Sequence, residues 1–128
     1  MTRILIVDDD EQVRSMLRLT LERAGFDVAE AADGLEAVRA HRRAPADLVI
    51  TDIVMPEMEG IETIRELRRE RPDLPIIAIS GGGQIAPEGY LQVAGKIGAA
   101  RTFTKPVDRG ELLAAVRELA AGEPARRA

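Results

Sequence analysis

The sequence predicts an α/β fold in which a parallel sheet carries helices on both faces. Two observations lead there. Five short, β-rich apolar runs alternate along the chain with segments of helical period. Several of those runs, such as "ILIV" (4–7) and "IIAI" (76–79), are apolar at every position, as strands covered on both faces require. A third observation says where function gathers. The runs end in Asp8 and Asp9, in Asp52 and in Ser80, and the fifth is followed by Lys105. In a parallel sheet all these ends share one edge, next to the crevice at the switch point.

Each element has its own signal. "RILIVD" (3–8) is the first strand. Val13, Met16, Leu17, Thr20 and Leu21 then fall on one helical face, and Gly25 is a stop of the C′ kind. "FDVAEA" (26–31) alternates like a half-buried strand. "ADG" (32–34) is a turn, Leu35 and Val38 begin a second helix, and Pro45 bounds it. "DLVITD" (47–52) is the third strand and "MPEMEG" (55–60) a loop. Ile61, Ile64 and Leu67 mark a third helix, closed by "RPDLP" (71–75). "IIAIS" (76–80) is the fourth strand. Pro87 suits the first turn of a fourth helix that runs to about residue 97. "RTFT" (101–104) is a short fifth strand. Asp108 with Glu111 opens a last helix, to about residue 120, as a capping pair. The expected organisation is one domain over 1–121 and a frayed tail over 122–128.

Composition excludes several classes of function. With no cysteine there is no disulfide, thiol nucleophile or zinc–thiolate site. A net charge of −4 gives no general attraction to nucleic acid, and two Phe, one Tyr and no Trp make a poor stacking platform for bases. No apolar run spans a bilayer and no signal peptide opens the chain, so the expectation is a cytoplasmic protein without nucleic-acid or membrane partners.

Helix capping accounts for Asp10, but not for Asp8 at a strand end or for Asp52 before a loop. Carboxylates brought together at neutral pH need a cation, a proton or both. Oxygen ligands without His or Cys point to a hard divalent ion, Mg²⁺ first. A phosphoryl group attacked by Asp52 would use the remaining residues: its oxygens would meet Mg²⁺, Lys105 and the Ser80 hydroxyl. His41, the single histidine, is expected to be solvated beside Arg42 and Arg43. Arg65, Arg68, Arg69 and Arg71 read as the outer face and end of the third helix, and Met55 and Met58 as packing residues flanking a turn.

The motifs "VDDD" (7–10), "ITDIVMPEMEG" (50–60), "IIAISG" (76–81) and "TKP" (104–106), in this order, resemble those of a response-regulator receiver domain of two-component signalling, over residues 3 to about 120. The resemblance implies a flavodoxin-like doubly wound sheet of five parallel strands in the order 2-1-3-4-5, with five helices. It implies that Asp52 is the phosphoacceptor and that Asp9, Asp52 and the Val54 carbonyl ligate Mg²⁺, with Asp8 assisting. It also implies that Ser80 is the switch hydroxyl, that Lys105 binds the phosphoryl group and that the peptide before Pro106 is cis. The phosphoryl donor would be a sensor histidine kinase or a histidine phosphotransfer protein. The chain departs from the family's pattern where an aromatic residue is common and Thr102 stands, and in "GGG" (81–83) after Ser80. The segment from Ser80 to Lys105 also runs a few residues longer than the family's usual length.

The functional expectation is a stand-alone receiver that signals by contact with a downstream protein. It promotes its own phosphotransfer and slow dephosphorylation and does not turn over small substrates. A phosphate sink or phosphorelay intermediate is the alternative. The rivals are a haloacid-dehalogenase-like phosphatase, for which Asp8 and Asp10 have the required spacing, and a flavin binder, which the acidic residues after the first strand oppose. With Thr102 offering little apolar area, the signal is expected to leave through residues 81–90 and the helix after them.

Overall fold

The computed structural model describes residues 2–53, 60–80 and 99–121. Their elements, in chain order, are β1 (Arg3–Val7), α1 (Glu11–Arg23), β2 (Asp27–Ala31), α2 (Gly34–Arg43), β3 (Leu48–Asp52), α3 (Gly60–Glu70), β4 (Ile76–Ser80), β5 (Arg101–Thr104) and α4 (Arg109–Ala121). The expected helix near 87–97, the expected loop 55–60 with Met55 and Met58 apart from Gly60, which opens α3, and the expected switch segment 81–90 lie outside the described residues, as do Val54 and the expected tail 122–128.

The five strands form one sheet in the order β2-β1-β3-β4-β5, and every pairing is parallel. Because side chains alternate across a strand, the sheet separates two apolar layers. Leu5, Val7, Val49, Ile76 and Ala78 face one way and pack with Ala37 and Val38 of α2 and Ile64 and Leu67 of α3. Ile4, Ile6, Ile50, Ile77 and Ile79 face the other way. They meet Leu17 and Leu21 of α1 and Leu112, Val116 and Leu119 of α4. Every residue of β3 is buried: Leu48, Val49 and Ile50 in the apolar layers, then Thr51 and Asp52 at the carboxyl end.

The helix boundaries follow local chemistry. Asp10 caps α1, its side chain accepting from the N–H groups of Gln12 and Val13. At the other end the Gly25 N–H donates to Glu22 O and the Phe26 N–H to Leu21 O, the double bond of a Schellman turn. That turn puts Gly25 at φ +96°, the left-handed region that favours glycine. Asp33 caps α2 through the Glu36 N–H at 2.8 Å, and Asp108 caps α4 through the Glu111 N–H at 2.9 Å.

One expectation on α2 is corrected. Leu35 lies in the first turn of the helix, as expected, and is 46% exposed. The buried stripe of the helix is Gly34, Ala37, Val38 and His41, an i, i+3, i+4, i+7 series that leaves Leu35 one residue out of phase. His41 is therefore buried, not solvated. Its Nδ1 accepts the Ala46 N–H at 3.0 Å, satisfying a backbone donor just past Pro45. The arginines near the end of α3 serve structure. Arg68 donates to Leu74 O, Arg71 donates to Ala46 O, and Arg69 pairs with Glu66.

Candidate functional site: an acidic cup at the carboxyl edge

The sheet order makes β1 and β3 neighbours, and the chain leaves β1 toward β2 on one side before crossing to β3 on the other. This is the switch point of the sheet, and the loops leaving β1 and β3 diverge to open a crevice. Asp8 and Asp9 follow β1 directly, and Asp52 ends β3. Oxygens from Asp8, Asp9 and Asp52 lie within 4.8 Å of one another. Asp8 and Asp52 are buried and Asp9 is exposed, so the group is a cup open to solvent on one side.

Lys105, on the turn after β5, reaches across from β5 and the far side of β4. Its Nζ is 3.0 Å from Asp8 Oδ2 and 3.0 Å from Asp52 Oδ2. The Lys105–Pro106 peptide is cis, as expected. The Ser80 backbone closes β4 beside Thr104 at the same edge. Four of the residues picked from the sequence, Asp8, Asp9, Asp52 and Lys105, therefore come together, and the backbone of Ser80 joins their edge of the sheet.

The charges do not balance. Burial pushes the Asp8 carboxyl above the ordinary carboxylate range, and the Asp52 charge pushes it further; the Asp10 N–H and Lys105 oppose this only in part. Burial acts to lower Lys105 too, but Asp8 and Asp52 together outweigh it and hold the ammonium above its usual range. The asymmetry is physical, since one ammonium gains from two carboxylates while each carboxylate also faces the other. Asp8 Oδ1 accepts the Asp10 N–H at 2.8 Å. Asp8 Oδ2, although in ion-pair reach of Lys105, is a buried oxygen with no directed hydrogen bond among the described residues. An under-satisfied buried carboxylate oxygen beside two more carboxylates fits a hard divalent cation.

Asp10 has no place in the cup, since its carboxylate is taken up in capping α1. Sequence reasoning missed one contributor. Arg14, on α1, donates from Nη1 to the Asp8 carbonyl at 2.6 Å and from Nε to Glu30 Oε1 at 3.1 Å. The available signal was its place one turn after the Asp10 cap, off the apolar stripe that buries Leu17 and Leu21.

Residues 4–117 match the family described as the response regulator receiver domain. The chain belongs to that family. Among curated relatives, the receiver is 37% identical to the chemotaxis protein CheY of Thermotoga maritima over 91% of this chain and 96% of CheY. It is 34% identical to the alkaline phosphatase synthesis transcriptional regulatory protein PhoP of Bacillus subtilis, over 91% of this chain and 48% of PhoP. The chain thus spans about half the length of the regulators of the PhoP kind and nearly the whole of CheY. Among solved structures, the chemotaxis protein CheY4 of Vibrio cholerae superposes with a TM-score of 0.83 at 32% identity, over 93% of this chain and 98% of that one. A receiver domain protein from Clostridium thermocellum gives 0.89 at 27% identity, over 98% of each chain. The receiver fold and strand order expected from the motifs are therefore those of this protein.

Proposed function

We propose that this receiver accepts a phosphoryl group on Asp52 from the phosphohistidine of a sensor histidine kinase or histidine phosphotransfer protein. It then signals in the cytoplasm through a phosphorylation-dependent contact with a downstream protein. The observation that carries this reading is the ammonium of Lys105, placed 3.0 Å from both Asp8 and Asp52 at the open edge of the sheet. Asp52 Oδ attacks phosphorus, the P–N bond breaks, and its electron pair leaves with the imidazole, which takes up a proton. Lys105 faces the charge that develops on the phosphoryl oxygens, and the Ser80 hydroxyl is the third expected contact.

Asp8, Asp9 and Asp52 would hold Mg²⁺, with the Val54 carbonyl completing the protein ligands. The ion would supply positive charge to the phosphoryl oxygens and to the crowded carboxylates. Asp52 is both ligand and nucleophile, so the acyl phosphate forms inside the cup and is open to water on the Asp9 side. That supports slow self-dephosphorylation and not turnover of small phosphate esters. The phosphatase alternative needs Asp10 as a free acid, and Asp10 is committed to the α1 cap.

The test is labelling with acetyl phosphate and Mg²⁺. Wild type should gain an acid-stable, base-labile phosphoryl group and Asp52→Asn none; equal labelling of the variant would overturn the assignment. Co-purification with the Asp52→Asn protein as control would distinguish a downstream contact from a phosphate sink, which retains no phosphorylation-dependent partner beyond the phosphoryl donor.

A further inference from the structure

We propose that Arg14 is a positioning residue for the metal cup, holding the Asp8–Asp9 peptide in the orientation that turns the Asp9 carboxylate toward Asp8 and Asp52. The inference rests on the Mg²⁺ reading of the cup given above.

The β1–β2 ladder stops at Asp8. The last rung between β1 and β2 is the Asp8 N–H donating to Ala31 O at 3.2 Å. The Asp8 carbonyl then points from a chain that is leaving the ladder, and a buried carbonyl without a partner is costly. Arg14 supplies the partner, Nη1 to Asp8 O at 2.6 Å. A carbonyl fixed in direction fixes its peptide plane, and the next residue on that plane is Asp9. The Asp9 side chain is exposed, so packing does little to place it, and the plane it hangs from matters more.

Arg14 is itself held. Its Nε donates to Glu30 Oε1 at 3.1 Å, and the other Glu30 oxygen accepts from Arg18 Nη1 at 2.5 Å. Arg18, with Arg14 beside it, keeps the Glu30 carboxyl below its usual range, so the anchor stays ionised. Glu30 sits on β2 opposite Ile6 of β1. The guanidinium therefore ties the loop to a strand of the sheet, using two donors of a rigid fork that a lysine cannot reproduce. Groups that orient metal ligands in this way are typically worth about 10- to 100-fold in metal affinity.

Charge and geometry predict opposite signs, which makes the idea testable. A guanidinium near the cup repels a divalent cation, so a pure charge effect would make Arg14→Met bind Mg²⁺ more tightly. Positioning predicts weaker binding, by about 10- to 100-fold. The experiment is a calorimetric Mg²⁺ titration of wild type, Arg14→Met and Arg14→Lys, with circular dichroism to confirm that each is folded and amide shifts of residues 8–10 as a second readout. The expected result is weakened binding in both variants, since Lys keeps the charge and loses the fork. Unchanged or tighter binding in Arg14→Met, or full rescue by Arg14→Lys, would overturn the inference. Should Arg14→Met fail to fold, Arg14→Lys, which keeps the charge, carries the same decision through weakened or wild-type affinity. Wild type that binds no Mg²⁺ at millimolar concentration would instead overturn the metal reading and this inference with it.

Discussion

Asp8, Asp9 and Asp10 are chemically identical neighbours in three different environments. Asp8 is buried and carries an ion pair, Asp9 faces solvent beside the crevice, and Asp10 caps a helix. Their substitutions should separate accordingly. Asp9→Ala should abolish Mg²⁺-dependent phosphorylation. Asp10→Ala should keep it and lose about 1 kcal/mol of stability, the worth of a cap; urea melts and labelling assays read the two effects. Loss of labelling in Asp10→Ala alone would reverse the assignment. Lys105→Ala should fold and bind beryllofluoride, a phosphoryl mimic, more weakly, and undiminished affinity would show that its contacts with Asp8 and Asp52 are structural only. These residues were legible in the sequence because each sits at a strand end, which apolar runs reveal. Arg14 and His41 were not, because their partners are backbone groups of other elements: the Asp8 carbonyl for one and the Ala46 N–H for the other. Periodicity locates a side chain on a face but not the backbone atom that the face will meet.

The nine described elements start and stop where short-range chemistry directs, which is why most of their boundaries could be read in advance. Asp108 with Glu111, the Gly25 stop and the Pro45 bound all correspond to observed ends. Gly25 gives the sharpest prediction at this scale. A Cβ there would meet nothing within 4 Å, so the cost of Gly25→Ala is purely that of the left-handed backbone. That cost is about 1–2 kcal/mol, read as a lower urea midpoint with unchanged slope; an unshifted midpoint would show that the turn tolerates a Cβ. His41, seven residues after Gly34, continues the buried stripe of α2 through Ala37 and Val38, which is why the ring is buried. On β5 the side chains of Thr102 and Phe103 take opposite faces. Phe103 packs against the α1 and α4 layer, while Thr102 is exposed on the opposite side with no ring to move.

At the scale of the whole molecule, α2 and α3 are joined around His41. Burial lowers the affinity of its ring for a proton and the Arg71 charge lowers it further, against a smaller opposing pull from Glu70. Arg42 of the same helix pairs with Glu66 and Glu70 of α3, and Arg71 holds the Ala46 carbonyl. The folded ring is neutral, so unfolding below the unfolded value of 6.5 takes up a proton. This contribution is full above pH 6.5 and falls as the pH drops toward the lower folded value. The expected observations are a ring titration midpoint below 6.5 by NMR and a loss of urea stability between pH 7 and 5. His41→Asn, whose amide oxygen can accept the Ala46 N–H, should flatten that loss. A midpoint at or above 6.5 would show that the ring is hydrated in solution.

The sheet between the two apolar layers has a consequence for how mutations combine. Val49 and Ile50 are adjacent in the chain, yet Val49 belongs with Leu5 and Ile76, and Ile50 with Ile6 and Ile77. Non-additivity should therefore respect the partition and ignore sequence distance. Ile50→Val combined with Ile77→Val, register partners on one face, should deviate from the sum of the single changes by about 0.5 kcal/mol or more, and by more than Ile50→Val combined with Val49→Ala, whose side chains pack in different layers. The protein then behaves as two reservoirs of packing tolerance sharing one wall. Substitutions that loosen the α2–α3 side draw on one, those on the α1–α4 side draw on the other, and the carboxylates at the end of the wall feel both.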